Sequence, residues 1–184
     1  MRRITAPVTA RAARALEAGD QVFFSGILLT ARDQAHLRLC EYLRAGKDLP
    51  VRLQDQIIYY CGPAAAPKGR PVGSCGPTTS ARMDAYTVPL LKAGLRGMAG
   101  KGRRSEEVRR AIRKYRAVYF LAPAGCGALL ARKVTAARRL CFADLGPEAV
   151  YELTVRDFPF TVGIDTRGES IFHRRTKGVF HEKK

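Results

Sequence analysis

The chain has 184 residues, 46% of them hydrophobic, which suits one domain with its own core and leaves little for a second. No apolar run approaches the ~18 residues a bilayer-spanning helix needs, and no apolar signal core follows the charged Met1-Arg-Arg-Ile start, so a cytoplasmic protein is expected. Lys and Arg number 33 against 16 Asp and Glu, a formal charge of +17, which fits an anionic substrate, an acidic partner or nucleic acid.

In chain order, Val22–Thr30 reads as a buried strand and Arg32–Arg44 as a helix, with Ala35, Leu39 and Leu43 at helical spacing and Gly46 as its stop. Gln56–Gly62 is a second apolar strand, and the Pro/Gly content of Ala64–Pro71 makes it a loop. A helix is predicted from Thr79 to Ala93, bent or interrupted at Pro89. Arg96–Gly100 is a short connection or strand. Ser105 caps a helix that runs to Tyr115, with Glu106 and Glu107 in its first turn. Ala117–Ala122 is a strand, and Pro123–Gly127 turns into a short helix over Ala128–Lys133. The remainder reads as extended at Arg139–Ala143, Val150–Val155, Phe160–Asp165 and Ser170–Phe172, with a hairpin turn at Asp165–Gly168. Helices alternate with strands first and strands dominate later, the pattern of an α/β domain with a mixed sheet flanked by helices over 1–184, ending in a short basic tail from about 173.

The chemistry concentrates at Pro71-Val-Gly-Ser-Cys-Gly-Pro-Thr-Thr-Ser-Ala-Arg-Met-Asp84. A Gly/Pro-rich loop delivers Thr78 and Thr79 to the start of the predicted helix, and Arg82 follows Thr78 at i+4. Backbone amides at a helix start favour anions, and an arginine fork grips a carboxylate at two points. The segment therefore suits a small carboxylate or phosphate; a Ser/Thr cap beside a surface arginine would have the same sequence. Five cysteines, at 40, 61, 75, 126 and 141, form no Cys-x-x-Cys pair and no zinc-ligand spacing, so reduced thiols are expected. The basic residues are spread along the chain and no nucleic-acid-binding motif accompanies them, so charge alone supports nucleic-acid binding.

Several motifs then follow one another in order: Gly26-Ile-Leu-Leu-Thr-Ala-Arg-Asp-Gln-Ala-His36, Tyr60-Cys-Gly-Pro63, Gly73–Asp84, Gly100-Lys-Gly-Arg-Arg-Ser105, Asp144-Leu-Gly-Pro-Glu-Ala149, Asp157-Phe-Pro-Phe160 and Asp165-Thr-Arg-Gly168. In these the chain resembles the beta subunit of class I iron–sulfur fumarate hydratases and L-tartrate dehydratases, the equivalent of the C-terminal domain of single-chain class I fumarases, from about Gly19 to Phe172. The resemblance implies the swivelling β/β/α fold. It implies a hydro-lyase that reversibly hydrates fumarate to L-malate, or acts on tartrate instead. It also implies a four-iron, four-sulfur cluster ligated by an alpha subunit and not by this chain, and hence a hetero-oligomer.

Arg32, Arg82 and Lys101 match the family's carboxylate-binding cations, and Thr78 matches its proposed catalytic base. Thr79, His36 and Cys75 are expected close behind the site, Cys75 as a packed thiol. No metal ligand is assigned to this chain. A subunit with a purely structural role is the remaining alternative.

Overall fold

Ten residues, Gln21–Thr30, half of them β-branched or aromatic, form the strand around which the sheet is organised (β2). The computed structural model describes residues 2–173. Ile57–Tyr59 (β3), Gly97–Gly100 (β4) and Val118–Leu121 (β5) extend the sheet from β2, each parallel to its neighbour. Val150–Ile164 (β7) runs antiparallel and pairs with β5 and with β2, so the five strands close on themselves. Arg2–Thr5 (β1) adds parallel to the first half of β2, and Val134–Cys141 (β6) adds antiparallel to β7.

Alternation along the strands divides the core in two. Ile57, Tyr59, Val118 and Phe120 pack with Phe24, Phe158 and Phe160 on one face. Ile58, Met98 and Tyr119 point the other way, onto Asp33–Arg44 (α2), Asp84–Lys92 (α3) and Glu106–Tyr115 (α4), through Leu39, Leu90 and Ile112. The short helices Ala10–Arg14 (α1) and Gly127–Ala131 (α5) pack on the first face through Ala13 and Leu130. Each large apolar side chain buried this fully contributes about 1.5–3 kcal/mol.

The α/β class with a mixed sheet and flanking helices is the observed one. Several element boundaries differ from those expected. β1 and α1 went unread, because β1 opens with two exposed arginines and pairs with one neighbour only. β6 begins at Val134, five residues before the expected Arg139, and its outward residues are largely exposed. The two strands expected at Val150–Val155 and Phe160–Asp165 are one strand, β7, bulged opposite Phe24–Gly26. Asp157 takes a positive φ of 49° there, and its amide is held by Ser25 Oγ at 3.0 Å.

The helix expected from Thr79 is a 3₁₀ turn, Ser80–Met83, followed by α3, and Pro89 lies inside α3. Ser105 Oγ caps α4 as expected, accepting from the Val108 amide at 3.3 Å. Of Ser170–Phe172, only Ser170 pairs, in a single bridge to Ile164. The basic tail beyond His173 lies outside the described residues.

Candidate functional site

The parallel strands β2, β3 and β4 all end at the same edge of the sheet, and the loops that leave them carry the motif residues. In α/β sheets this carboxyl edge is where ligands bind. Arg32 leaves β2 and starts α2, Cys61 and Gly62 leave β3, and Lys101 leaves β4. Thr78 and Thr79 join this edge by backbone pairing. The Thr78 amide donates to the Tyr60 carbonyl at 2.7 Å, the Lys101 amide to the Thr78 carbonyl at 3.1 Å, and the Ser80 amide to the Lys101 carbonyl at 2.9 Å.

That pairing corrects the anion-binding helix start expected at Thr78–Thr79. The Thr78 and Ser80 amides are spent on the sheet edge, and Thr79 makes no side-chain cap. What the edge offers instead is side chains, with Thr79, Arg82 and Lys101 exposed and Arg32 and Thr78 half-buried.

Two glycines make the approach possible. A Cβ on Gly100 would stand 2.1 Å from Ser80 Oγ and 2.9 Å from the Tyr60 ring, so only glycine lets β4 run beside the Thr78 segment. A Cβ on Gly62 would stand 3.0 Å from Arg32 Nη1 and 3.1 Å from the Pro147 carbonyl, so Gly62 makes room for the Arg32 head.

Arg32 and Arg82 meet through two carboxylates. Arg82 is bidentate on Asp33, with Nε–Oδ1 3.0 Å and Nη2–Oδ2 2.5 Å. Partial burial works to raise the Asp33 carboxyl, but the Arg82 fork outweighs it and holds the group below the usual carboxylate range. Arg32 Nη2 lies 3.5 Å from Glu148 Oε1, while Glu148 Oε2 accepts from the Gln34 amide at 3.1 Å and so caps α2. Glu148 also favours the charged form of Arg82, which ties both arginines to one acidic neighbour. Arg32 Nε is buried and has no hydrogen-bond partner among the described residues. His36 Nε2 and Gln56 Oε1 are buried without a partner among the described residues in the same way.

His36 and Cys75 lie behind this edge. His36 is fully buried, edge-on to Tyr60 at 5.2 Å, with Nδ1 2.8 Å from the Arg32 carbonyl. Burial drives its pKa down to about 4, so the ring is neutral near pH 7. Cys75 is fully buried, with its Sγ 3.3 Å from Cys61 Sγ. The hydrogen bond to Cys75, together with burial, pushes the Cys61 thiol up, so Cys61 is poorly disposed to ionise.

Neither Asp33 nor Glu148 is among the site residues expected from the sequence. The Glu148 motif could have flagged it, but only the fold brings residue 148 to residue 32. Among the described residues, no group of three His, Cys, Asp or Glu side chains is placed to hold a metal ion. Among the described residues the buried Cys61–Cys75 pair has no third such side chain beside it, so that pair does not fit an iron–sulfur cluster. No helix among the described residues is long and apolar enough to cross a membrane.

Comparison with known proteins agrees with the motif order. A family model described as Fumarase C-terminus matches residues 2–175. The chain is 38% identical over 181 residues to the "Putative L(+)-tartrate dehydratase subunit beta" of Methanocaldococcus jannaschii, an alignment covering 95% of this chain and 93% of that one. It is 39% identical over 153 residues to the anaerobic class I fumarate hydratase of Escherichia coli strain K12, and 40% identical over 153 residues to the mitochondrial fumarate hydratase 1 of Leishmania major. Each of these two alignments covers 82% of this chain but only 28% of the relative, so the chain spans less than a third of those enzymes' length. With its family model matched across every described residue, the chain belongs to the Fumarase C-terminus family.

Proposed function

We propose that this chain is the beta subunit of a hydro-lyase that reversibly hydrates fumarate to L-malate, working with an alpha subunit that carries a four-iron, four-sulfur cluster. The observation that carries this reading is that Arg32, held by Glu148, and Arg82, held by Asp33 next to Arg32 in the chain, stand at the edge where the Thr78–Lys101 pairing lies. A dicarboxylate brings two negative charges, and the carbanion-like intermediate of hydration places more charge on one carboxylate. Fixed guanidinium groups stabilise that charge and keep their protons when water is excluded.

Each residue has a role in this reading. Arg82 uses two of its five N–H donors on Asp33, which fixes its plane and leaves three donors for a substrate carboxylate. Arg32, half-buried and held by Glu148 through Nη2, takes the second carboxylate through its remaining guanidinium donors. Lys101 adds a point charge from the Gly-Lys-Gly turn. Thr78 moves the proton at the carbon next to the carboxylate, its alcohol made more acidic by the surrounding cations. The edge is open, so a partner surface must close it to exclude water. That need, together with alignment to nearly the full length of a protein named as a beta subunit, supports a hetero-oligomer.

The same alignment supports a second substrate, L-tartrate, with the same residues in the same roles. The test is co-expression with the cluster-bearing subunit, then assay of the complex on fumarate, L-tartrate and mesaconate. Turnover of fumarate supports the first reading and turnover of tartrate alone supports the second. A well-formed complex inactive on all three would overturn both.

A further inference from the structure

Arg104 is a charged side chain with no exposed surface, and the reading above gives it no role. Its Nε meets Asp84 Oδ1 at 2.6 Å, its Nη2 donates to Thr87 Oγ1 at 2.6 Å, and its Nη1 donates to the Tyr60 hydroxyl at 3.2 Å. The guanidinium carbon lies 5.4 Å from the centre of the Tyr60 ring and 5.2 Å from that of Tyr119. The second Asp84 oxygen accepts from the Ser105 amide at 2.7 Å.

These partners belong to the segments that build the edge. The Tyr60 carbonyl holds the Thr78 amide, Asp84 follows the 3₁₀ turn that carries Arg82, and Tyr119 OH closes on both Ser80 Oγ at 2.9 Å and the Gly102 carbonyl at 2.8 Å. The loop from Gly100 to Ser105 is therefore pinned at Lys101 itself, whose own amide and carbonyl pair with Thr78 and Ser80, and again after it by the Arg104 cluster.

A buried charge of this kind is a poor source of stability. Well-packed apolar side chains of similar volume are often as stable, whereas removing one partner of the pair is costly. What the arrangement supplies is fixed geometry, since a planar fork with a hydrogen bond on each of its three nitrogens holds its loop in one place. We propose that Arg104 is a positioning residue: it fixes Lys101 relative to Thr78 and Arg82 through the loop it anchors, without touching the reactants. This rests on the reading of Lys101 as a substrate-binding group.

The test is a double-mutant cycle in the assembled complex with Arg104→Lys, Lys101→Ala and the pair. Lysine keeps the charge but not the fork, and misplacement of a binding group by about 1 Å costs up to roughly 10²-fold. Arg104→Lys is expected to raise KM and lower kcat, and the double variant to be no slower than Lys101→Ala alone. Multiplying losses, or wild-type kinetics in Arg104→Lys, would overturn the proposal.

Backbone amide hydrogen exchange on the full chain provides a readout independent of turnover. It uses Arg104→Lys and the milder Thr87→Val, which removes the bond from Arg104 together with the Thr87 bond to the Met83 carbonyl and keeps the guanidinium. Exchange at the Lys101 and Ser80 amides should quicken by about tenfold while the β2–β7 ladder is unchanged. Unaltered exchange at both amides in both variants would overturn the proposal. If the wild-type complex turns over none of the three substrates, the functional reading fails while the exchange experiment still decides whether Arg104 holds the loop.

Discussion

Arg82 and Asp33 face each other fork to fork, Nε to Oδ1 and Nη2 to Oδ2, across the start of α2 and the 3₁₀ turn before α3. The pair is partly open to water, with 47% of the Arg82 side chain and 30% of Asp33 exposed, so it adds less than about 1 kcal/mol to stability. Its value lies in orientation. Asp33→Ala should leave the thermal midpoint nearly unchanged but raise KM in the assembled complex by up to about tenfold, as a loosely held guanidinium loses its plane. Arg82→Lys should cut kcat/KM by roughly 10–100-fold, because an ammonium cannot offer two parallel donors. Wild-type kinetics in both variants would remove Arg82 from the site.

The motif order made the family legible, and periodicity gave β2, α2, β3, α4 and β5. The adjacent arginines 103 and 104 show where sequence stops. Both read as one basic doublet, yet Arg103 is exposed beside the Phe172 ring at 5.4 Å while Arg104 is sealed in the core. Nothing local separates them; the difference comes from Asp84, Thr87 and Tyr119, which only the fold brings near. Glu148 is a similar case, 116 positions from Arg32 in sequence and 3.5 Å away in space. The Thr78–Ser80 amides were misread because a helix start and a sheet edge share the same Pro-Thr-Thr-Ser sequence, and tertiary pairing with Lys101 selects the edge.

His36 links stability to pH. Burial lowers its pKa from 6.5 to about 4, so between those values the unfolded chain binds a proton that the folded chain does not. Its contribution is fully present above about pH 6.5 and is lost as pH falls towards 4, where the difference is on the order of 3 kcal/mol. Below that range the Asp33 carboxylate begins to protonate and adds its own loss. In an NMR titration the His36 ring signals should stay constant from pH 8 down to about pH 5. A midpoint near pH 6.5 would show that the ring is hydrated and not sealed between Tyr60 and Tyr86.

Gly100 tests the close approach of β4 to the Thr78 segment. In Gly100→Ala the new methyl would stand 2.1 Å from Ser80 Oγ, a hydroxyl that is itself buried and bonded to Tyr119. Relief requires Ser80 to turn away and abandon that bond. A cost of about 1–3 kcal/mol is expected, seen as a fall in Tm of roughly 3–10 °C. Turnover of the assembled complex should drop with it, since the Thr78 and Lys101 backbones are the groups being pushed apart. An unchanged Tm would show that the edge is loose enough to accept a side chain.

In the proposed reaction Thr78 is given the most demanding role, because an alcohol is a weak base near neutral pH. Its backbone is held at both ends, the amide by Tyr60 and the carbonyl by Lys101, so replacing the side chain removes the hydroxyl without releasing the loop. If that hydroxyl moves the proton, Thr78→Ala in the assembled complex should lower kcat by at least about 10²-fold, the low end of general acid–base contributions, and change KM little. Thr78→Ser should recover much of the loss, since it restores the oxygen and omits only a methyl group. Thr78→Val should behave like alanine, although it restores the shape. Should Thr78→Val turn over near the wild-type rate, the residue is a spacer at the sheet edge and the proton is moved by a group on the partner subunit.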